Sequence, residues 1–355
     1  MQYNKTVIDS HYHIYGWQDE KGRPFWETTD AYRTGRDFRS ININALPSGS
    51  RDVSNNIIAA LYKLCHPEVY IHGGLIYDAY PVPAEMPEGM DSLTQYRELM
   101  EIGFDGIKML ETKPTTIKKL GRPVCAPLYR DFFDAVEEDG THMVWHVNDP
   151  AEFWDRALAP AFCIEAGWFY GDGSYPSHEE IYRQAFAVLD RNPKLNVTFA
   201  HFFFMSGCPE RLEKVFENYP NTAVDLTPGS EMYGGFKKRA SYYRDFFIRH
   251  ADRIEFGTDA SDEANAVEDN FWLADTVYRF VTTEEAFQLW ETEGCGLNLP
   301  GEVQEKILSG NFLRRVGAQP KPVNAGALKR YIAKYNRLIR DERVREEIGR
   351  IAAEL

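Results

Sequence analysis

Two histidines one residue apart, His11 and His13, close the apolar run that begins the chain (VIDSHYH, residues 7–13). On a β-strand, residues i and i+2 point to the same face. The pair can therefore reach one point from the end of one strand. A metal ion is a partner that wants two imidazoles at one point; two unrelated polar residues after a core strand is the plainer alternative. Further chemistry-bearing residues follow apolar runs: Lys108 after FDGI, His146 in HMVWHV, His201 after VTFA, Asp225 after NTAV and Asp259 after EFGT. The chain has nine histidines, and four of them fall at such ends. Neutral imidazoles with one carboxylate hold a divalent transition ion and leave a position open. Such an ion acidifies a bound water and polarises a carbonyl oxygen. A histidine outside the ligand set can orient the nucleophile or pass a proton. Together these residue types suit attack of water on an ester, lactone or amide.

These residues need strands that end at one place. The pattern gives strands over residues 6–11, 40–46, 69–77, 104–110, 142–147, 195–200, 221–226 and 253–258. Between them, helical spacing runs over 52–65, 92–103, 128–138, 177–191, 210–218 and 242–250. Ser177 with Glu180 forms a capping box. Long segments over 14–39 and 148–176 read as loops, as do 81–89 and the stretch through Pro114, Gly121 and Pro123. Alternation of eight strands with helices predicts a parallel sheet closed as an α/β (β/α)8 TIM barrel, whose site lies at the carboxyl ends of the strands. An open doubly wound sheet is the competitor; no G-x-G-x-x-G loop or Walker motif supports it. The barrel is expected over residues 1–320. A helical extension over 321–355 should pack on it or form a subunit contact. His72 and His142 read as core histidines, and His178 as solvated.

Composition narrows the partners. The 355 residues are 43% apolar and 14% aromatic, enough for a large core. A net charge of −14 argues against nucleic acid or an anionic membrane surface. The five cysteines (Cys65, Cys125, Cys163, Cys208, Cys295) form no C-x-x-C pair, so neither a disulfide framework nor a thiolate zinc site is indicated. No leader-like start and no apolar run of about 18 residues is present. A cytoplasmic location and a small-molecule substrate are the matching expectations; the oligomeric state is left open, a homo-oligomer included.

In order along the chain, DSHYH (9–13), GIKM (106–109), WHVND (145–149), FAHFFF (199–204), YPNTAVDLT (219–227), FGTDAS (256–261) and KILSGNFLRR (306–315) resemble the amidohydrolase superfamily, specifically its amidohydrolase-2 group. The resemblance covers about residues 6–316. It implies that His11, His13, His146 and Asp259 bind one metal, zinc or manganese. It also implies that His201 is the catalytic histidine and that Asp259 acts on the activated water. Asp9 would lie behind the first histidines or simply sit in its strand. Relatives in the group include lactonases and other hydrolases, non-oxidative decarboxylases of aromatic or unsaturated acids, and hydratases. Several decarboxylases that resemble this chain carry Glu where this one has Asp9, which tilts the expectation toward a hydrolase of a small carboxylated lactone, ester or amide. The decarboxylase is the alternative, and a metal-binding barrel without catalysis the third. Lys108 has three readings: carboxylated and bridging a second metal, an ammonium that binds a substrate carboxylate, or a salt bridge to Glu111. Tyr15 and Trp17, with Trp168 and Tyr170, are candidates to cover a flat substrate or to pack their loops. Asp225 reads as a structural strand end.

Overall fold

The computed structural model describes residues 2–18, 21–49, 51–77, 89–229, 231–263 and 267–355. The expected loop over 81–89 lies, apart from Gly89, outside the described residues. Nine parallel segments form one curled sheet in sequence order: β1 Ile8–His13, β2 Ser40–Asn44, β3 Tyr70–Gly74, β4 Gly106–Thr112, β5 His142–Val147, β6 Asn196–Phe199, β7 Thr222–Asp225, β8 Ile254–Glu255 and β9 Ala260–Ser261. β8 pairs with β7, and β9 pairs with β1. They are two halves of one eighth strand. Ser10 N donates to Phe256 O (3.1 Å) and Asp259 N to His11 O (2.8 Å), so the split strand closes the ring. The expected eight-stranded TIM barrel is the fold observed.

Burial explains why these runs become strands. β1, β2, β3 and β5 are buried along their whole length, as parallel strands covered by helices require. Inside the barrel, below the site, polar side chains form one chain. Asn42 Oδ1 meets His72 Nδ1 (2.7 Å), His72 Nε2 meets His142 Nδ1 (2.8 Å), and His142 Nε2 meets Thr198 Oγ1 (2.9 Å). Thr198 in turn donates to Glu255 Oε1 (3.0 Å). Both histidines are satisfied core residues, as the sequence suggested. Gly106 leaves room for them: a Cβ there would lie 2.3 Å from His72 Nε2.

The helices also follow local signals. Asp91 caps Ser92–Ile102 by accepting from Thr94 N. Gly103 ends that helix at φ 106°, left-handed, where glycine carries no Cβ penalty. Ser177 accepts from Glu180 N and opens His178–Arg191. The expected loops are more structured than their composition suggests. Residues 14–39 contain the helix Phe25–Gly35, and Pro114–Leu120 is helical with proline in its first turn. Residues 148–176 hold two short turns of helix, Ala151–Trp154 and Ala161–Glu165. Sequence spacing also passed over Met232–Lys238, Val267–Thr282 and the hairpin β10 Ala286–Leu289 with β11 Thr292–Cys295. His178 is not solvated. Its ring packs between Trp154 and Tyr182 at centroid distances of 5.1 and 5.0 Å.

At the C-terminus, Ala325–Tyr335 lies against the barrel helices Ser54–Cys65 and Ser92–Ile102. Asn56 donates to Tyr331 Oη (3.0 Å) and Tyr335 to Glu98 (2.8 Å). No helix among the described residues is long and apolar enough to cross a membrane.

Candidate metal centre

His11 and His13 come together as their spacing requires, with Nε2 atoms 3.2 Å apart. Each ring is oriented from behind through Nδ1. His11 Nδ1 meets Asp225 Oδ2 (2.8 Å), with Thr227 Oγ1 also at 3.1 Å. His13 Nδ1 meets the Asn44 carbonyl at the end of β2 (2.7 Å). Acceptors at both Nδ1 atoms place the ring proton there and leave each Nε2 lone pair facing the centre. Asp259 Oδ1 lies 3.1 Å from His13 Nε2 and 3.7 Å from His11 Nε2. One ligand atom from each of the three residues falls within 4.8 Å of the others. Two imidazoles and a carboxylate, converging with their outer atoms already occupied, fit a divalent transition ion.

Three residues at strand ends hold backbone angles uncommon for L side chains. Asn148, His201 and Asp259 have φ of 76°, 55° and 61°, and Phe202 to Phe204 continue the left-handed turn. Each such residue costs about 1–3 kcal/mol and persists where its surroundings over-determine it. Here they do. Asp225 Oδ1 accepts from His201 N (2.8 Å) and Thr227 N (3.1 Å). Phe203 stacks on Phe199 at 3.8 Å, and Phe202 is wedged against Phe236 and Phe247. The turn of Asp259 is braced by Asp9. One oxygen of Asp9 accepts from His11 N (3.1 Å), the other from Thr258 Oγ1 (2.6 Å) and Tyr32 Oη (2.8 Å). The β1–β2 register shifts between Asp9 and Tyr12, and the Asp9 carboxylate meets the backbone of His11 but neither imidazole ring.

His201 and His146 lie side by side, ring centroids 5.0 Å apart, and His201 is 5.8 Å from His11. His201 Nδ1 is buried without a hydrogen-bond partner. Burial and the neighbouring His146 push its pKa down to about 4, so the ring is neutral at pH 7. His146 is on the same floor but outside the three-residue group. Its Nε2 faces Asp149 Oδ1 at 3.2 Å. Asp149 is held by Lys113 Nζ (2.8 and 2.9 Å) and Tyr170 Oη (2.6 Å). Lys108 is buried with Nζ 2.8 Å from His11 Nε2. It turns to the histidine and not to Glu111, whose carboxyl accepts from Leu110 N instead. Burial lowers the Lys108 pKa to about 8 against the pull of Asp259 and Asp225.

Above this floor opens a cavity of about 600 Å³, lined by His146, His201 and Asp259 and walled by Phe153, Trp168 and Phe204. Asp259 faces it with 41% of its side chain exposed. Trp168 is thus placed as a cavity aromatic, and Tyr170 donates to Asp149. Tyr15 and Trp17 are not among the described residues that line the cavity. The Arg51 guanidinium lies over the Tyr15 ring at 3.3 Å, and Trp17 packs on Phe25 and Trp26. Trp290, in the β10–β11 turn, supplies an aromatic wall that the sequence did not announce. Asp149 had a signal, its i+3 spacing from His146. Asp225 was visible as a strand end, but its contacts to His11, His201 and Thr227 were not.

The backbone has known counterparts. The fold is a barrel also found in solved amidohydrolases and decarboxylases. The chain is similar to 2,6-dihydroxybenzoate decarboxylase from Rhizobium (TM-score 0.54, 15% identity, 89% of this chain and 99% of that one). It is also similar to a probable 2-pyrone-4,6-dicarboxylic acid hydrolase from Acinetobacter baumannii with citric acid bound (TM-score 0.51, 10% identity, 88% and 99%). A third is an amidohydrolase from Burkholderia multivorans with bound zinc (TM-score 0.50, 10% identity, 89% and 100%). No protein-family sequence model matches the chain, and no curated protein matches it by sequence. At these identities the likeness is one of fold, shared by hydrolases and decarboxylases.

Proposed function

We propose that the chain is a metal-dependent hydrolase of a small carboxylated lactone, ester or amide. The observation that carries this reading is the convergence of His11 Nε2, His13 Nε2 and Asp259 Oδ1 beside the unpartnered His201 Nδ1, at the floor of the cavity. His11, His13 and Asp259 would hold the ion; His201 is the next imidazole beside His11, and His146 lies beyond it, 5.0 Å from the His201 ring. The Burkholderia barrel with bound zinc supports zinc as the first ion to try; manganese suits the same donors. When bound, the ion supplies Lewis acidity at the substrate carbonyl and a lowered pKa for water.

The chain's own residues do the rest. His201, neutral and short of a partner at Nδ1, accepts the nucleophile's proton and returns it to the leaving group. Asp259 presents its carboxylate to the same space, with 41% of its side chain exposed. The Lys108 ammonium, beside His11 Nε2, would supply positive charge next to the ion site for a substrate carboxylate or a developing oxyanion that reaches it. Phe153, Trp168 and Phe204 exclude water and favour a flat or cyclic molecule.

The test is a panel of lactones, esters and amides that carry a carboxylate, assayed with zinc- or manganese-loaded protein. Turnover that disappears on chelation and returns with the metal is expected. Release of carbon dioxide from a carboxylic acid without uptake of water would overturn hydrolysis in favour of decarboxylation.

A further inference from the structure

One wall of the cavity hides a carboxyl that the fold leaves unmatched. Both carboxyl oxygens of Glu231 are buried, and neither has a hydrogen-bond partner. A buried polar group without a partner is rare in folded proteins and calls for an explanation. The carboxyl lies against the bare face of Gly229. A Cβ at that glycine would stand 3.0 Å from Oε2, 3.5 Å from Oε1 and 3.6 Å from Cδ. Gly229 itself lines the cavity, next to Pro228. The carboxyl is therefore just under the cavity surface, at a place where the wall has no side chain.

The two charged groups that act most on it, Glu152 and Asp149, are both acidic. Burial raises the Glu231 pKa to about 8, and Glu152 and Asp149 push the same way. Ser206 and the Glu231 backbone N–H oppose this in part, but the hydroxyl does not meet hydrogen-bond geometry at either oxygen. A cation of this wall, Lys113, is committed to both oxygens of Asp149. The empty carboxyl is therefore neutral near pH 7; a group that brings a positive charge and several N–H donors would favour its ionised form and give both unpartnered oxygens a donor.

We propose that Glu231 forms a recognition subsite for a primary ammonium group, which reaches the carboxyl past Gly229. The inference deepens the reading of this cavity as a substrate site and rests on it. It adds that the substrate carries an amine at the end that meets the Pro228–Gly229 wall, with the reacting carbonyl at the His201–Asp259 floor.

The test needs no turnover. The 355-residue chain, metal-free and zinc-loaded, is titrated calorimetrically with benzylamine and with benzyl alcohol, which has the same shape without the charge. Benzylamine should bind at least tenfold more tightly than the alcohol. Glu231→Gln should bring that ratio below twofold. Gly229→Ala, whose methyl would stand 3.0 Å from Oε2, should do the same, and it is the deciding variant if Glu231→Gln fails to fold by thermal melting. Equal affinities in the parent protein would overturn the subsite, as would an amine preference that survives in the deciding variant. The two readings fail separately. Metal-dependent hydrolysis with no amine preference removes only the subsite. An amine preference lost in Glu231→Gln, without any metal-dependent turnover, removes only the hydrolase.

Discussion

Replacing Asp225 with asparagine keeps the shape of the side chain and removes one acceptor and the charge. In the native arrangement Oδ2 faces His11 Nδ1 at 2.8 Å, and Oδ1 accepts from His201 N at 2.8 Å and Thr227 N at 3.1 Å. An asparagine must turn its NH2 toward one of these sides. Facing His11, it makes Nδ1 an acceptor and moves the ring proton to Nε2, the atom that faces His13 and Asp259. That atom then cannot ligate a cation. Facing the other way, it opposes the His201 and Thr227 N–H groups, donor against donor. Each buried donor left unsatisfied costs roughly 1–3 kcal/mol. Disturbing the group behind a ligating histidine typically costs about 10–100-fold in metal affinity. Asp225→Asn should therefore bind zinc about 10–100-fold more weakly. It should also lose on the order of 1–3 kcal/mol of stability even in chelator. Zinc titration in competition with a chromophoric chelator, and urea unfolding of the metal-free protein, read the two quantities separately. Zinc affinity within threefold of the parent would refute the claim that Asp225 sets the tautomer of His11.

Three other substitutions probe separate parts of the molecule. His201→Asn should lower turnover by about 10²–10⁴-fold with the bound metal content unchanged; retained turnover on any hydrolysed substrate sinks its catalytic role. Gly106→Ala would put a methyl 2.3 Å from His72 Nε2 and 2.4 Å from the His142 carbonyl, so a loss of about 1–3 kcal/mol from overpacking is expected in urea melts. Glu255 has its pKa raised to about 7 by burial, with Arg315 opposing. Its folded pKa lies above its unfolded one, so its protonated form stabilises the fold below the unfolded value. That contribution is lost as pH rises through about 7. Glu255→Gln should flatten the decline of stability over this window, where a tenfold change in the protonation equilibrium corresponds to about 1.4 kcal/mol. An unchanged pH slope would show that the carboxyl is not buried as described.

Much of the site was legible in the residues. The spacing of His11 and His13 placed two imidazoles on one face because strand geometry is local, and their Nε2 atoms do meet at 3.2 Å. Apolar runs separated by helical spacing marked eight strands because burial on both faces leaves a continuous signature. His201 and Asp259 could be placed beside that pair once all strand ends were assumed to share one rim. The later half of the chain was less readable. The helix Val267–Thr282 and the hairpin that carries Trp290 hide in a segment whose aromatics serve the cavity as well as the core. The eighth strand read as one run, yet it is split around Asp259, because left-handed φ is imposed by contacts from β1 and Asp9.

The sequence by itself determined the barrel and the residue types that reach its mouth, since both follow from short-range periodicity. Only the tertiary structure decided what each of those residues faces. It put Asp225 behind His11 and under His201, turned His146 toward Asp149, and set Lys108 against His11 instead of Glu111. The partners in these contacts are separated by between 3 and 214 positions. Hydrogen-bond direction, tautomer and desolvation are properties of such meetings, and closing the ring is what brings them about.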